Sequence, residues 1–292
     1  TRAGLYDALG HRIDTWPLLI AADRRLPIAP RRLRTTPEKA TQGGFIYGGM
    51  FNPRFGHFIT ETVPNLVAIA IAGRAFPDYT LLFHCWPHFG SDQIGSRSFI
   101  AYFLDLLGLA DRKVALVMQP LRVERMVLPE APFDGKFAYK PWLPALLDSF
   151  LPPATAVAHD RVYLSRTRLN KNLRLTDELR IEAIYRDRGY EPIHMQELSL
   201  TDQIGIVRSC CHLAGPQGSA IHWSLYSASI ETVISMGWKS CLQAGICAAR
   251  YQMYFNPRGL IANPLGGGRT RWFSDRAVLR MIDIAEAAAL AA

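Results

Sequence analysis

The fold class of this chain is decided by residues 161–227, which have the sequence RVYLSRTRLNKNLRLTDELRIEAIYRDRGYEPIHMQELSLTDQIGIVRSCCHLAGPQGSAIHWSLYS. Short apolar runs with a strand pattern alternate here with segments that have helical spacing. The predicted strands are RVYLS, YEPIHM and CHLAGP, and the predicted helices are TDELRIEAIYRDRG, SLTDQIGIVRSC and SAIHWSLYSA. This alternation is typical of a parallel sheet with helices on both faces, and it predicts the α/β class.

The first half of the chain shows the same alternation. A strand in GGFIYGG is followed by a helix that is predicted to begin near His57 and to end at Gly73. The strands and helices predicted after it are YTLLFHC, SRSFIAYFLDLLGL, KVALVMQ, RVERMVLP and PWLPALLDSFL. We therefore predict two Rossmann-like domains that face a cleft, with ligands bound beyond the carboxyl ends of the strands.

The predicted domain organisation has three parts. Residues 1–152 form an N-terminal domain whose Arg- and Pro-rich arm contains short strands such as Pro17–Ala22. The Pro-rich segment LPPATAVAHD is a linker, and residues 153–270 form the C-terminal domain. Residues 271–292 form a C-terminal helix, which is predicted to return and pack on the N-terminal domain.

The composition narrows the functional classes. A net charge of +8 favours an anionic partner, and a solvated basic surface is the alternative interpretation. The 5 cysteines contain no CxxC pair, which argues against a disulfide framework and a structural zinc site. The longest apolar run, Val63–Ala72, is too short to span a bilayer. We expect a cytoplasmic protein whose contact with the inner membrane, if any, is peripheral.

A glycine turn supplies the first candidate site. In CHLAGPQGSAIHWSLYS a strand ends at Gly215, and a helix begins near Ser219, which is predicted to be its N-cap. Amides at such a helix start can bind phosphate. The candidates for phosphate binding here are Gln217, Gly218, Ser219, Ala220 and His222. An ordinary strand–turn–helix junction is the alternative, as is core packing for His222.

A basic loop supplies the second candidate site, at the carboxyl end of the preceding strand. Arg166 follows the strand RVYLS directly, and Arg168, Asn172 and Arg174 come soon after it. The planar guanidinium of arginine matches two phosphate oxygens. The alternative is an exposed basic loop without a ligand.

His57 and Glu61 supply the third candidate site. They are four residues apart in FNPRFGHFITETVPN, so both side chains lie on one helix face. Such a pair could act as general base toward an acceptor hydroxyl, and a structural histidine is the alternative. No GxGxxG, Walker or GxSxG motif occurs, and the absence of DxD predicts that no metal is required.

The order of these segments resembles glycosyltransferase family 61. The matching segments are FNPRFGHFITETVPNL, VYLSRTRLNKNLRLTDEL, GYEPIHMQELSLTDQIGIV and HLAGPQGSAIHWSLYS. The sequence departs from the family pattern at Pro216 and Gln217, where members often have His just before the glycine. It departs again at Thr176 and Asp177, which replace part of an Asn-Glu pair.

The resemblance implies a GT-B fold and an inverting, metal-independent transfer without a cofactor. The nucleotide-sugar donor would be a substrate bound by the C-terminal domain, residues 153–270. The acceptor would be a glycan or lipid-linked glycan of surface polysaccharide synthesis, on the side of the N-terminal domain, residues 1–152. Arg166 would bind the diphosphate with support from Arg174, and His57 or Glu61 would be the base. A non-catalytic nucleotide- or glycan-binding module is the alternative, followed by a sugar-nucleotide epimerase; a nucleic-acid partner is not expected.

Overall fold

The computed structural model describes residues 5–13, 31–33, 39–85, 94, 97–134, 138–169, 175, 177–238, 240–257, 260–261 and 271–291. The predicted strand Pro17–Ala22 lies outside these residues. The chain divides into two units, Thr1–Phe150 and Leu151–Ala292, so the division falls two residues before the expected one.

The N-terminal unit is an α/β structure. Its elements are β1 (Leu5–Tyr6), β2 (Arg12–Ile13), β3 (Ala40–Phe51), α1 (Phe55–Gly73), β4 (Thr80–Cys85), α2 (Ser98–Leu106), β5 (Val114–Val117), β6 (Arg122–Val127), β7 (Phe133–Asp134), β8 (Ala138–Tyr139) and α3 (Trp142–Phe150).

A parallel four-stranded sheet forms the centre of this unit, in the order β5-β4-β3-β6. Strand β3 pairs on both sides, and its residues Phe45, Ile46 and Tyr47 are buried. The strand order reverses between β3 and β6. At such a reversal the connections leave the sheet in opposite directions, and a crevice opens at the carboxyl ends. Helix α1 begins directly beyond this end of β3.

Helix α1 is the main buried helix of the N-terminal unit. It begins at Phe55, two residues before the predicted start, and contains a π-helical turn at Phe58–Thr62. Among the described residues it is also the one helix that is long and apolar enough to cross a membrane, although the sequence predicted no such run. Of its most apolar stretch of 18 residues, 67% is buried, and Phe58, Ile59 and Val63 are fully buried. It is therefore a core helix of this unit.

The C-terminal unit is also an α/β structure. Its elements are β9 (His159–Leu164), α4 (Glu178–Asp187), β10 (Glu191–Ile193), a 3₁₀ turn (Met195–Glu197), α5 (Leu200–Arg208), β11 (Cys210–Pro216), a 3₁₀ helix (Ser219–Tyr226), β12 (Thr232–Met236), α6 (Cys241–Ala249), β13 (Met253–Phe255), β14 (Leu260–Ile261), β15 (Arg271–Trp272) and α7 (Asp275–Ala291).

Five parallel strands form the sheet of this unit, in the order β10-β9-β11-β12-β13. In order of occurrence this is 2-1-3-4-5, a doubly wound arrangement whose reversal lies between β9 and β11. The predicted α/β class, with a parallel sheet in each half, is confirmed. The sequence did not predict helix α6 or strand β13, and β13 extends the sheet at its edge.

Helix α7 belongs to the C-terminal unit. Its residues Val278, Ile282 and Ala285 are in one buried cluster with Tyr163 of β9 and Tyr185 of α4. Ion pairs join the same surfaces: Arg188 bonds to Asp283 at 2.6 Å, and Arg161 bonds to Glu286. The apolar face of the helix is therefore buried against the sheet of its own unit, and the packing on the N-terminal domain expected from the sequence stays a prediction.

Candidate functional site

The carboxyl ends of β9 and β11 bring together two of the predicted segments. These strands are hydrogen-bonded neighbours, with Tyr163 opposite Ala214. Arg166 follows the end of β9, and Gln217 and Gly218 follow the end of β11. Both loops therefore lie at the reversal point of the sheet, where doubly wound folds bind ligands.

The Arg166 side chain crosses from one loop to the other. Its guanidinium donates to the carbonyl oxygen of Gln217 at 3.0 Å and to that of Pro216 at 3.4 Å. Burial lowers the pKa of Arg166, and the Glu178 carboxylate opposes that effect. An arginine in a protein nevertheless remains protonated, so a permanent positive charge is fixed beside the glycine turn.

Gly218 allows this close approach. A Cβ atom at this position would overlap the Arg166 guanidinium, so any other residue would displace the arginine. Gly218 is the N-cap of the 3₁₀ helix, where the sequence predicted Ser219; Ser219 is exposed in the first turn, and Ala220 is half-buried. The first amides of a helix have no partner within it, so these residues can donate to an anion.

Gln217 supports the turn from inside. Its side chain is buried, its Oε1 accepts a hydrogen bond from Ser235, and its backbone N–H donates to Met236 at 2.7 Å. These contacts fasten the turn to β12. The side chain therefore holds the loop, and its contact with a donor stays a prediction.

Glu178 closes the basic loop, and its part was not recognised from the sequence. The buried carboxylate accepts hydrogen bonds from the backbone N–H groups of Arg166 at 2.7 Å and Leu175 at 2.9 Å, which are the two ends of the loop. Burial raises the pKa of Glu178, and those two hydrogen bonds oppose it. Its position in the TDEL segment, at the start of α4, was the available signal.

A second acid, Glu182, holds the same loop one helical turn later. Its Oε2 accepts from Ser165 at 2.5 Å and from Thr167 at 2.9 Å. Burial favours the protonated form of Glu182, but these hydrogen bonds and the nearby Arg186 charge lower its pKa overall. Glu178 thus holds the backbone of Arg166 itself, and Glu182 holds the residues on either side of it.

The remaining basic residues of the segment have different environments. Arg168 is exposed and paired with Glu197. Arg161, which lies in β9, is paired with Glu286 of α7 and so joins α7 to the sheet. The predicted donor-binding residues Asn172 and Arg174 lie outside the described residues.

His222 is buried in the 3₁₀ helix. Its Nδ1 lies 2.8 Å from Oε1 of Gln243, whose amide donates to Ser224 at 2.7 Å. Because the amide orientation makes Oε1 an acceptor, Nδ1 is the donor in this bond. The contact ties the 3₁₀ helix to α6, which favours a packing role.

His57 and Glu61 form a hydrogen-bonded pair in the N-terminal unit. Nδ1 of His57 lies 2.8 Å from Oε1 of Glu61, and the side chains are 30% and 13% exposed. The hydrogen bond to Glu61 raises the pKa of His57, and burial and Arg54 oppose it. With Nδ1 engaged, Nε2 is the ring nitrogen that can accept a proton.

The local backbone explains this placement. Glu61 lies in the π-helical turn, a feature that occurs often at functional sites. The turn is fastened by Thr62, whose Oγ1 accepts from the Asn52 backbone at 3.0 Å, and by Tyr139, which donates to the Thr60 carbonyl at 3.0 Å. Oε2 of Glu61 is buried and has no hydrogen-bond partner among the described residues.

The part of the chain that the structure describes contains no group of three or more His, Cys, Asp or Glu side chains that could hold a metal ion.

Comparison with known proteins identifies the family. The glycosyltransferase 61 model matches residues 55–234, which is more than half of the chain. The chain belongs to the glycosyltransferase 61 family. It is therefore a glycosyltransferase, and the matched region contains both the His57–Glu61 pair and the Arg166–Gly218 site.

No curated protein matches the sequence. Among solved structures, the chain is similar to heptosyltransferase WaaC of E. coli with ADP, at 10% identity and a TM-score of 0.40, over 84% of this chain and 100% of that one.

Proposed function

We propose that this glycosyltransferase moves a sugar from a nucleotide-sugar donor to a glycan acceptor, with inversion at the anomeric carbon and without a required metal. The single observation that carries the proposal is the Arg166 guanidinium, fixed over the Gly218 turn at the reversal point of the C-terminal sheet. A fixed cation beside helix-start amides suits a diphosphate.

The C-terminal unit stabilises the leaving group in this proposal. As the bond between the anomeric carbon and the phosphate oxygen breaks, negative charge accumulates on the nucleoside diphosphate. Arg166 and the amides of Gly218 and Ser219 would receive that charge without rearrangement, because Glu178 and Glu182 already hold the arginine loop. This fixed charge takes the part that a metal ion plays elsewhere.

The N-terminal unit supplies the base. Nε2 of His57 takes the proton of the acceptor hydroxyl, and the hydroxyl oxygen attacks the anomeric carbon from the face opposite the leaving diphosphate. Glu61 stabilises the imidazolium that forms, which is consistent with its effect on the pKa of His57. One direct displacement inverts the configuration.

The biological setting is proposed from the family resemblance. The enzyme would act in surface polysaccharide synthesis, on a glycan or lipid-linked glycan acceptor. It would be located in the cytoplasm, with at most a peripheral contact with the inner membrane. The net charge of +8 favours anionic donors and lipid headgroups.

A donor screen tests the proposal. The thermal unfolding midpoint would be measured with UDP, GDP, ADP and CMP, each as the free nucleotide and as its sugar conjugate. Stabilisation by one nucleotide class is expected, because a ligand that binds only the folded state raises the midpoint. The selected donor should then give an inverted product in the presence of EDTA. No stabilisation by any nucleotide, or a retained configuration, would contradict the proposal.

A further inference from the structure

An exposed tryptophan lies beside the proposed diphosphate site. Trp238 is 57% exposed, and it follows the carboxyl end of β12, next to β11 in the sheet. The loops after β9, β11 and β12 therefore leave the same edge of the sheet in adjacent positions. The first carries Arg166, the second carries Gly218 and the third carries Trp238.

Direct contacts join the Trp238 loop to the glycine turn. Gly237 packs so closely on Gln217 that an added Cβ would lie 2.9 Å from the Gln217 Cβ, and its φ of 142° disfavours other residues. The Gln217 N–H also donates to the Met236 carbonyl at 2.7 Å. The position of Trp238 is thus fixed relative to the turn.

Hydrogen bonds also fasten the elements at both ends of the Trp238 loop. Before the loop, the Ser235 carbonyl of β12 accepts a hydrogen bond from Asn256, which follows β13, at 2.6 Å. Ser240 caps α6 by accepting from the Gln243 N–H at 3.1 Å. An aromatic ring presented to solvent from a loop held at both ends is suited to stack on a flat ligand, because little ordering entropy is lost on binding.

We propose that Trp238 is the stacking platform for the nucleobase of the donor. The inference rests on the proposed function, since it assumes that a diphosphate binds at Arg166 and Gly218. Trp238 lies one strand beyond the glycine turn and two strands beyond Arg166. Adjacent strands are about 5 Å apart, so these separations are about 5 Å and about 10 Å across the sheet. The ribose of a nucleoside diphosphate bridges that separation between phosphate and base.

Calorimetry with two kinds of probe tests the assignment. The wild type and Trp238→Ala would be titrated with inorganic pyrophosphate and with UDP, GDP, ADP and CDP. We expect the substitution to weaken the binding of the preferred nucleoside diphosphate by about tenfold, because one base–aromatic stack is lost. Pyrophosphate affinity should not change. Trp238→Phe, which keeps a stacking face, should retain most of the nucleotide affinity.

Fluorescence supplies an independent readout. The preferred nucleoside diphosphate should quench tryptophan emission in the wild type, and much of that quenching should be absent in Trp238→Phe although the nucleotide still binds. Tyr251→Ala is the matched control. Tyr251 is 94% exposed at the opposite, amino end of the same sheet, so its removal should change neither affinity nor quenching.

The outcomes separate this inference from the proposed function. Unchanged nucleoside diphosphate affinity in Trp238→Ala overturns the inference alone. An equal loss of pyrophosphate affinity also overturns it, because the substitution then acts through the shape of the turn. If the wild type binds none of the nucleoside diphosphates, both the proposed function and the inference fail.

Discussion

The two units of this glycosyltransferase place their candidate groups in the same topological position but in different electrostatic settings. In the C-terminal unit, the charge is a permanent guanidinium whose loop is held by buried Glu178 and Glu182. In the N-terminal unit, the charge depends on pH, because His57 titrates against Glu61 on a partly exposed helix face. The first setting suits a group that receives charge, and the second suits a group that moves a proton. Donor binding and proton transfer should therefore respond to different substitutions.

The largest expected effect is on turnover. His57→Ala removes the proposed base and should lower kcat by about a thousandfold, within the range of general base catalysis. Donor affinity should stay near that of the wild type, because the proposed site of the diphosphate is in the other unit. Steady-state kinetics and calorimetry on the same preparation would separate the two quantities. A normal kcat would show that the base is another residue.

The next effect is on donor affinity. Arg166→Ala removes the fixed cation and should weaken nucleoside diphosphate binding by about a hundredfold, since hydrogen bonds to charged groups are the strong ones. Arg280→Ala is the matched control. It removes a charge of the same sign from an exposed position on α7, which belongs to no candidate site. Equal affinities for the two variants would contradict the role of Arg166.

A smaller effect is expected at Glu178. In Glu178→Gln the amide group faces a backbone N–H, so one of the two loop hydrogen bonds is lost. Donor affinity should fall by about tenfold and the free energy of unfolding by about 1–3 kcal/mol, because a buried N–H loses its acceptor. Glu197→Gln makes the same charge change at an exposed position and should have little effect. If Glu178→Gln binds the donor normally, the loop does not depend on this carboxylate.

The smallest effect is a displacement of the pH profile. A base must be neutral to act, so kcat should fall as the pH decreases through the raised pKa of His57. Glu61→Gln removes the cause of that raised pKa, and the acid limb of the profile should move to lower pH. The affinity for the donor should be independent of pH over the same interval. An unchanged acid limb in Glu61→Gln would show that another group titrates.

The same pair affects stability with a defined sign. Because the folded pKa of His57 is raised, its pairing with Glu61 stabilises the folded protein fully below the ordinary pKa of histidine. That contribution is lost as the pH rises through the folded pKa. Thermal unfolding of the wild type and Glu61→Gln should therefore differ most at acid pH and converge at alkaline pH.

Much of the fold was predictable because its strands are short apolar runs separated by helices with regular spacing. RVYLS and CHLAGP were predicted as separate strands, and their parallel topology placed Arg166 near Gly218. Helix α6 was not predicted, since Gly245 and the small residues around it weaken both the helical propensity and the apolar pattern. The packing of α7 on Tyr163 and Tyr185 required the structure, because an amphipathic pattern shows which face is buried but not which surface covers it.

Other features of the site depend on tertiary contacts. No local pattern distinguishes the 3₁₀ helix at Ser219–Tyr226 from an α-helix, or predicts the π-helical turn that contains Glu61. The role of Glu178 required the structure, because its two partners are backbone groups at the ends of a loop. The pairing of Arg168 with Glu197 likewise joins residues far apart in sequence.

Hydrogen–deuterium exchange of the wild type tests the central claim most directly. The exchange of backbone amides would be compared without and with a saturating concentration of the nucleoside diphosphate that the donor screen selects. We predict slower exchange in the segments that contain Arg166 and Gly218–Ala220, while exchange around His57 stays unchanged. Protection confined to the N-terminal unit, with the glycine turn exchanging as before, would contradict the assignment of the donor site.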